Sequence, residues 1–455
     1  MPIDDLPASG VTTVLGSGWP EGVELHLVRF DRTGRCLSME ARQAAVDAVP
    51  EHTHVFLLSH GWNNSWADVL ARYRSWVTNL LDIPATAAAR RAGRFKPLFI
   101  GVFWPSLAFP GDDEAGPEVA GAAPALDPEL VDALVEPLPA ADQARARELL
   151  GRGAVDRGEA VELARLVSGG FEGSDWAFED LSAADAAPEG VGSLWQSWSA
   201  AQRLAASVDP TQPRPLDPNQ ALDLGDGVES AGAGRWATLW LARVASFRPM
   251  KDRSHRVGST GVGALLADVL AAPPTPNHRR SHHLVGHSFG CKVMLSALCA
   301  APEGSVVDSA LLLQPATSAR CFSADAGERV PGGYRPALQR VSGTILSTWS
   351  THDFPLRKLY QLSAWRDKDL GDVETAGLLD KWHALGGYGP SELDPVPAGW
   401  TARAGEQFHR LPAGPALIPV DGSDVIGGHG KVATADTAWM LFDQLGLAAD
   451  PDHPR

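Results

Sequence analysis

His283–Val293, with the sequence HLVGHSFGCKV, decides the fold that we expect for this chain. An apolar run that predicts a β-strand ends just before Ser288, and Cys291 to Ala300 has helical spacing. The chain must turn sharply between them, and Gly286 and Gly290 remove side chains that would clash in that turn. G-x-S-x-G between a strand and a helix is typical of a turn that exposes a serine as a nucleophile. The alternative is a structural turn in which the serine occurs by chance.

Segments with strand and helix patterns alternate on both sides of this turn. We predict strands over Val23–Phe30, Val55–Ser59, Leu98–Phe103, Ser281–Gly286, Ser309–Leu313, Thr344–Trp349 and Ala416–Val420. We predict helices over Trp66–Leu81, Gly258–Leu270, Cys291–Ala300 and Ala433–Leu445, whereas Ser38–Val49 has helical spacing but could also be irregular. This alternation predicts the α/β class, with a mostly parallel central sheet flanked by helices. Ligands bind beyond the carboxyl ends of the strands in such sheets.

A long middle segment interrupts the alternation. We therefore predict three parts: a first part of the core (1–106), an acidic, mainly helical insertion (107–245) and a second part of the core (246–455). The insertion contains the helix candidates Glu129–Val135, Ala141–Leu150, Gly158–Val167 and Trp236–Phe247. Its tryptophans either line a pocket under a lid or form the small core of a helical subdomain. They are Trp176, Trp195, Trp198, Trp236 and Trp240.

Charge and composition narrow the classes of partner. Residues 107–235 contain 24 acidic and 8 basic residues, which accounts for the whole formal net charge of −16. Such a surface repels nucleic acid and anionic membranes, although it could also be simply a solubilising surface. No signal peptide and no membrane span of about 20 apolar residues is visible, so we expect a cytoplasmic protein. The spacing of 4 cysteines and 14 histidines suggests no metal site, and no cofactor loop is recognisable.

A serine nucleophile needs a base, and the base needs an acid that orients it. Asp353 follows the strand predicted over Thr344–Trp349, and His429 follows the last predicted strand in a loop with two preceding glycines. Both lie after Ser288 in the order Ser, acid, His. Asp353 could instead cap a helix, and His429 could be an ordinary loop histidine. The competing candidates are Asp421, Asp424 and His352.

The reaction also needs hydrogen-bond donors for an oxyanion. The backbone N–H of Phe289, directly after the nucleophile, is one expected donor. The loop Ser59–Ser65, SHGWNNS, directly follows a predicted strand, and we assign the second donor to the backbone N–H of Trp62. The alternative is a turn around a buried tryptophan. Three residues are expected to support the loop: His60, Gly61 and Asn63.

These motifs together resemble the α/β-hydrolase superfamily. Within it, the chain resembles a bacterial group of uncharacterised hydrolases. That group has a His-Gly-aromatic-Asn-Asn-Ser loop (His60–Ser65), a Trp-Pro-Ser turn (Trp104–Ser106) and a Gly/Ala-His-Ser-x-Gly elbow. The group's acid and histidine positions are matched by Ser350–Leu356 and by His429. The resemblance covers residues 23–106 and about 250–445, so it does not extend to the insertion.

The resemblance and the residues imply a serine hydrolase that acts on carboxylic esters through an acyl-enzyme, like an esterase or lipase. Its substrate would be a small-molecule or lipid ester. Acyl transfer to an alcohol is an alternative within the same chemistry. An alternative from another class is a non-catalytic protein of the hydrolase fold that docks partners through its acidic insertion. The oligomeric state and the acyl chain length stay open.

Overall fold

The computed structural model describes the chain in separate ranges. They are 19–20, 23–62, 64, 66–106, 131, 135, 138–151, 159, 162, 166, 250–274, 279–324, 331–353, 355–360, 383–391, 400–408 and 416–447. Three of the predicted helices, Glu129–Val135, Gly158–Val167 and Trp236–Phe247, lie wholly or largely outside these ranges. The five tryptophans of the insertion and Asn63 also lie outside them.

The chain forms two compact units. The first consists of Met1–Ser106, Asp252–Asp353 and Ala384–Arg455, and the second of Leu107–Lys251 and Phe354–His383. The second unit begins where the insertion was predicted to begin, and it also takes in Phe354–His383, which the sequence analysis left in the core. In the described part of the second unit, α4 (Ala140–Gly151) lies where a helix was predicted.

The first unit is built on one eight-stranded sheet in which every pairing of described strands is parallel. Its strands are β1 (Glu24–Arg29), β2 (His54–Ser59), β3 (Pro97–Phe103), β4 (Ser281–His287), β5 (Ser309–Leu313), β6 (Ile345–Trp349), β7 (Trp400–Thr401) and β8 (Leu417–Asp421). The order across the sheet is β1-β3-β2-β4-β5-β6-β8-β7. β2, β3 and β5 are buried along their whole length, as expected for strands covered on both faces.

Helices flank this sheet. They are α1 (Met39–Ala48), α2 (Trp66–Leu81), α3 (Pro84–Arg91), α5 (Gly263–Ala271), α6 (Phe289–Ala300), α7 (Leu385–Tyr388) and α8 (Ala435–Leu445). α5 packs against both α1 and α6, whereas α2 and α8 pack together. The core on the α2 side contains alternate residues of the strands, for example Phe56 and Leu58 of β2. The α/β class with a mostly parallel sheet flanked by helices is therefore confirmed.

The local sequence explains how several of these elements begin and end. α8 starts with a capping box, in which the Thr434 side chain accepts from the Thr437 amide, and it ends at Gly446 in the left-handed conformation. The predicted helix Gly258–Leu270 is a π-helical turn (Val257–Val262) followed by α5. α3, α7 and β7 were not predicted. No helix within the described ranges is long and apolar enough to cross a membrane.

Candidate active site

Ser288 occupies a strained turn between β4 and α6. Its backbone has φ 55° and ψ −126°, a conformation that few residues with a side chain adopt. Its amide donates to the Leu313 carbonyl at the end of β5 (3.0 Å), which holds the turn against the neighbouring strand. A Cβ added to Gly290 would lie 2.3 Å from the Ser59 carbonyl oxygen, so the helix can start this close to β2 only with glycine there.

Ser288, His429 and Asp353 form one hydrogen-bonded chain. His429 Nδ1 lies 2.7 Å from Asp353 Oδ2, and His429 Nε2 lies 2.8 Å from Ser288 Oγ. Because an ionised carboxylate can only accept, Nδ1 carries the proton and Nε2 accepts from the serine hydroxyl. Asp353 is fully buried, Ser288 is 3% exposed, and the His429 side chain is 21% exposed. The three residues therefore have the geometry of a nucleophile, a base and an orienting acid.

Parallel strands bring these distant residues together. Ser288 follows β4, Asp353 follows β6 and His429 follows β8, so all three lie at the carboxyl edge of the sheet. The loops are joined to each other because Ser350 Oγ donates to the Ile426 carbonyl (2.8 Å). This hydrogen bond ties the loop that contains Asp353 to the loop that contains His429.

Two side chains hold the loop of His429 from the other side. His287 Nε2 donates to the carbonyl oxygen of His429 (2.7 Å), and their rings are 4.9 Å apart. Arg72 of α2 donates to the carbonyl oxygen of Gly430 (3.1 Å). The backbone on both sides of the His429 carbonyl is thus fixed by residues of the elbow and of α2.

The competing candidates have other positions. Asp424 is exposed and lies 3.4 Å from Arg403. Asp421 accepts from the Ser423 amide (2.9 Å). His352 is exposed beside Asp353. The structure places Asp353 and His429, and none of these three, in the series of hydrogen bonds that ends at Ser288 Oγ.

The predicted oxyanion loop lies against the nucleophile. A Cβ added to Gly61 would lie 2.7 Å from Ser288 Cβ, so the backbone of the loop touches the serine directly. The rings of Trp62 and Phe289 are 6.3 Å apart, which places the two predicted donor residues beside each other. Phe289 is the first residue of α6 and directly follows Ser288, whereas Trp62 directly follows Gly61. The two residues predicted to supply the oxyanion donors therefore lie near Ser288.

Buried polar contacts fix this loop. Asn64 Nδ2 donates to the carbonyls of Gly61 (2.9 Å) and Trp62 (2.8 Å), and Arg72 donates to Asn64 Oδ1 (3.3 Å). His60 donates from Nδ1 to the Gly61 carbonyl (2.9 Å) and its ring stacks on Trp104. His60, which was predicted to support the loop, contacts it in this way; Asn64, which was not predicted, braces it as well, and Asn63 lies outside the described residues.

Burial keeps the histidines around the site neutral. Burial, with a smaller contribution from the charge of Arg72, lowers the pKa of His60 to about 3. Burial also lowers the pKa of His287 well below its ordinary value, again with help from Arg72. A neutral His287 has one N–H, which it gives to the His429 carbonyl. These imidazoles therefore stay neutral and hold the loops through hydrogen bonds to backbone carbonyls.

Sequence reasoning missed three residues of the site: Gln314, Asn64 and Arg72. Asn64 lies within the quoted loop motif, so the motif could have indicated it. Gln314 and Arg72 had no signal beyond a polar residue after a strand and a helical arginine. Among the described residues, no group of three His, Cys, Asp or Glu side chains is arranged to hold a metal ion.

Comparison with protein-family models, with curated proteins and with solved structures finds no match for this chain.

Proposed function

We propose that this protein is a serine hydrolase that cleaves carboxylic esters through an acyl-enzyme. The observation that carries the proposal is the hydrogen-bonded chain from Ser288 Oγ through His429 to Asp353, at 2.8 Å and 2.7 Å. A strained serine on a strand–helix turn supports it, because backbone strain concentrates where a side chain must be presented to a substrate.

The proposed reaction has two halves. Ser288 Oγ attacks the ester carbonyl carbon while His429 Nε2 takes the hydroxyl proton, and the buried carboxylate of Asp353 stabilises the resulting imidazolium. The amides of Trp62 and Phe289 donate to the oxyanion. His429 then gives its proton to the departing alcohol. In the second half, water attacks the acyl carbonyl carbon while His429 takes its proton, and His429 then gives that proton to Ser288 Oγ as the bond between the acyl group and the serine breaks and the acid leaves.

The proposal includes the α/β-hydrolase fold. It is supported by the positions of the nucleophile after β4, the acid after β6 and the histidine after β8, in the order that this fold uses. The segment 107–245 is proposed as the lid or cap insertion of that fold.

A fluorescent fluorophosphonate, followed by digestion and mapping of the adduct, tests the proposal. We expect labelling at Ser288, loss of labelling in Ser288→Ala and His429→Ala, and slower labelling in Asp353→Asn. Ser309→Ala is the matched control, since Ser309 is another buried serine, 2.8 Å from the imidazole of His283. Its removal should leave the adduct at Ser288 in place.

Turnover is measured in parallel with p-nitrophenyl acetate and longer acyl esters. Addition of a primary alcohol distinguishes hydrolysis from acyl transfer, because a transferase forms the new ester in preference to the free acid. If the folded wild-type protein reacts with neither the fluorophosphonate nor p-nitrophenyl acetate, the proposal is wrong. A non-catalytic binding role for the hydrolase fold would then be the better interpretation.

A further inference from the structure

The backbone of Gln314 adopts a conformation that residues other than glycine rarely adopt. It directly follows β5 and has φ 47°, in the left-handed region. Within the described ranges, Ser288 is the one other residue besides glycine with a positive φ. A non-glycine residue in this region costs on the order of 1 kcal/mol, so the surroundings must hold it there.

The side chain of Gln314 reaches the acid of the proposed triad. Gln314 is fully buried, and its Nε2 donates to Asp353 Oδ2 (2.8 Å) and to the Gly386 carbonyl (3.0 Å). Asp353 Oδ2 is the same oxygen that accepts from His429 Nδ1. One carboxylate oxygen therefore accepts from both the imidazole and the carboxamide.

A neighbouring strand fixes which end of the carboxamide faces the acid. Thr348 of β6 donates from its hydroxyl to Gln314 Oε1 (3.0 Å) and accepts from the Gln314 amide at the same Oγ1 (2.9 Å). The Nε2 end points at Asp353 because the Asp353 carboxylate and the Gly386 carbonyl only accept, whereas the Thr348 hydroxyl can donate to Oε1. Thr348 therefore binds both the backbone amide and the side-chain oxygen of Gln314.

The end of β5 thus contacts both ends of the triad. The carbonyl of Leu313 accepts from the Ser288 amide, and the next residue, Gln314, donates to Asp353. β5 lies between β4, which precedes the nucleophile, and β6, which precedes the acid. A shift of this strand end would therefore move nucleophile and acid relative to each other.

We infer that Gln314 is a positioning residue that orients the carboxylate of Asp353 toward His429. The inference rests on the proposed function, because the orientation matters for catalysis only if Ser288 is a nucleophile. Gln314 touches neither Ser288 nor His429 in its described contacts, so it acts through the acid. Its donation holds the carboxylate in one rotamer, in which Oδ2 receives the imidazole N–H.

The test compares Gln314→Met with Gln444→Met. Methionine keeps the length of the side chain without the donor. Gln444 is the matched control, because it is also buried and donates to two carbonyls, those of Ala310 and Thr344, away from the triad. We expect Gln314→Met to slow fluorophosphonate labelling and kcat by about 10- to 100-fold with little change in KM, as for loss of a hydrogen bond to a charged group. The control should lose stability without that loss of rate.

A second variant separates positioning from packing. In Gln314→Glu, the introduced carboxyl can donate to Asp353 only while it is protonated, since two adjacent carboxylates repel each other. The ratio of the variant's rate to the wild-type rate should therefore rise as the pH falls. The same ratio for Gln314→Met should stay flat with pH. A flat ratio for both variants would overturn the inference.

A spectroscopic measurement keeps the inference separate from the proposed function. The proton between His429 Nδ1 and Asp353 gives a far-downfield proton NMR signal whether or not the protein turns over substrate. We expect this signal to move or broaden in Gln314→Met and to stay in Gln444→Met. An unchanged signal and an unchanged rate in folded Gln314→Met would overturn the inference while leaving the hydrolase intact. If the wild-type protein is not labelled by the fluorophosphonate but the NMR signal still changes in Gln314→Met, the proposed function is wrong and the positioning role of Gln314 stands.

Discussion

At the scale of single residues, a glycine lies directly against the proposed nucleophile. Gly61 lies so near Ser288 that an added Cβ would be 2.7 Å from Ser288 Cβ and 2.9 Å from His287 Nδ1. Neither neighbour can retreat easily, because the Ser288 amide is bound to Leu313 and His287 is bound to the carbonyl of His429. The space between loop and serine is thus set by the absence of a side chain.

Gly61→Ala should lower kcat by about 100-fold, because the methyl group would push the loop with its oxyanion donors away from Ser288 by a fraction of an ångström or more. The measurement is steady-state hydrolysis of p-nitrophenyl acetate, together with the thermal unfolding midpoint. Gly427→Ala is the control. Gly427 lies in the loop of His429, and an added Cβ there would meet nothing within 4 Å. Equal rates for the two variants would mean that the loop does not form the oxyanion site.

At the scale of elements, one tyrosine joins α2 to two strands at the edge where the site lies. The buried hydroxyl of Tyr73 accepts from the His60 amide (3.0 Å) and lies within donating distance of the Leu58 carbonyl (3.0 Å) and the Val102 carbonyl (2.6 Å). Burial raises the pKa of Tyr73 well above its ordinary value, so the hydroxyl keeps the proton that it donates. These hydrogen bonds of Tyr73 fix the position of the backbone where the predicted oxyanion loop follows β2.

Tyr73→Phe should lower the free energy of unfolding by about 2 to 3 kcal/mol, because buried backbone groups lose their partner while the ring stays. It should also lower kcat/KM, since the His60 amide at the start of the oxyanion loop is among those groups. Denaturant unfolding and ester hydrolysis measure the two effects. Tyr334→Phe is the control, because that buried hydroxyl lies 2.8 Å from Ser296 Oγ, which is not a residue of the proposed site. If Tyr73→Phe lost stability but kept full activity, the link from α2 to the loop would be of structural importance alone.

At the scale of the whole molecule, the excess negative charge and the described core come from different parts of the sequence. The formal net charge of −16 lies entirely within residues 107–235, whereas the remaining residues are balanced. The described core instead buries neutral histidines. Burial lowers the pKa of His54 to about 4, that of His60 to about 3 and that of His282 to about 4.

These histidines should make the fold sensitive to acid. Below about pH 6.5 the unfolded chain binds protons at these positions, while the folded chain stays neutral until the pH reaches about 4. The unfolded state therefore holds more protons in this window, and the free energy of unfolding falls as the pH falls. Each histidine contributes a slope of at most about 1.4 kcal/mol per pH unit. Urea unfolding at a series of pH values measures that slope.

His54→Gln should make the slope shallower between about pH 6.5 and 4, because one of the protons taken up on unfolding is removed. His352→Gln is the control, since His352 is exposed in the folded protein and is surrounded by water in both states. Identical slopes for wild type and His54→Gln would show that His54 is already protonated in the folded protein. The acid sensitivity would then come from other groups.

Local patterns predicted most of the elements of the core. The apolar runs of β2, β3 and β5 and the helical spacing of α2 lie within one residue of the observed bounds, because period and burial are properties of neighbouring residues. α3 was missed although a proline stands at its first position, and β7 is too short, at two residues, to show any period. The division into units was not fully predicted either, since Phe354–His383 has no signal of its own that separates it from the core.

The sequence by itself determined the α/β class and, through the G-x-S-x-G turn and the order of polar loops after strands, which residues to propose for the triad. Tertiary structure alone decided that Asp353 and not Asp421 or Asp424 meets His429, and that Gln314 donates to that acid. The reason is physical: the partners are 39 to 141 residues apart in the chain, and their contacts depend on strand order and side-chain direction. Local periodicity encodes neither of these.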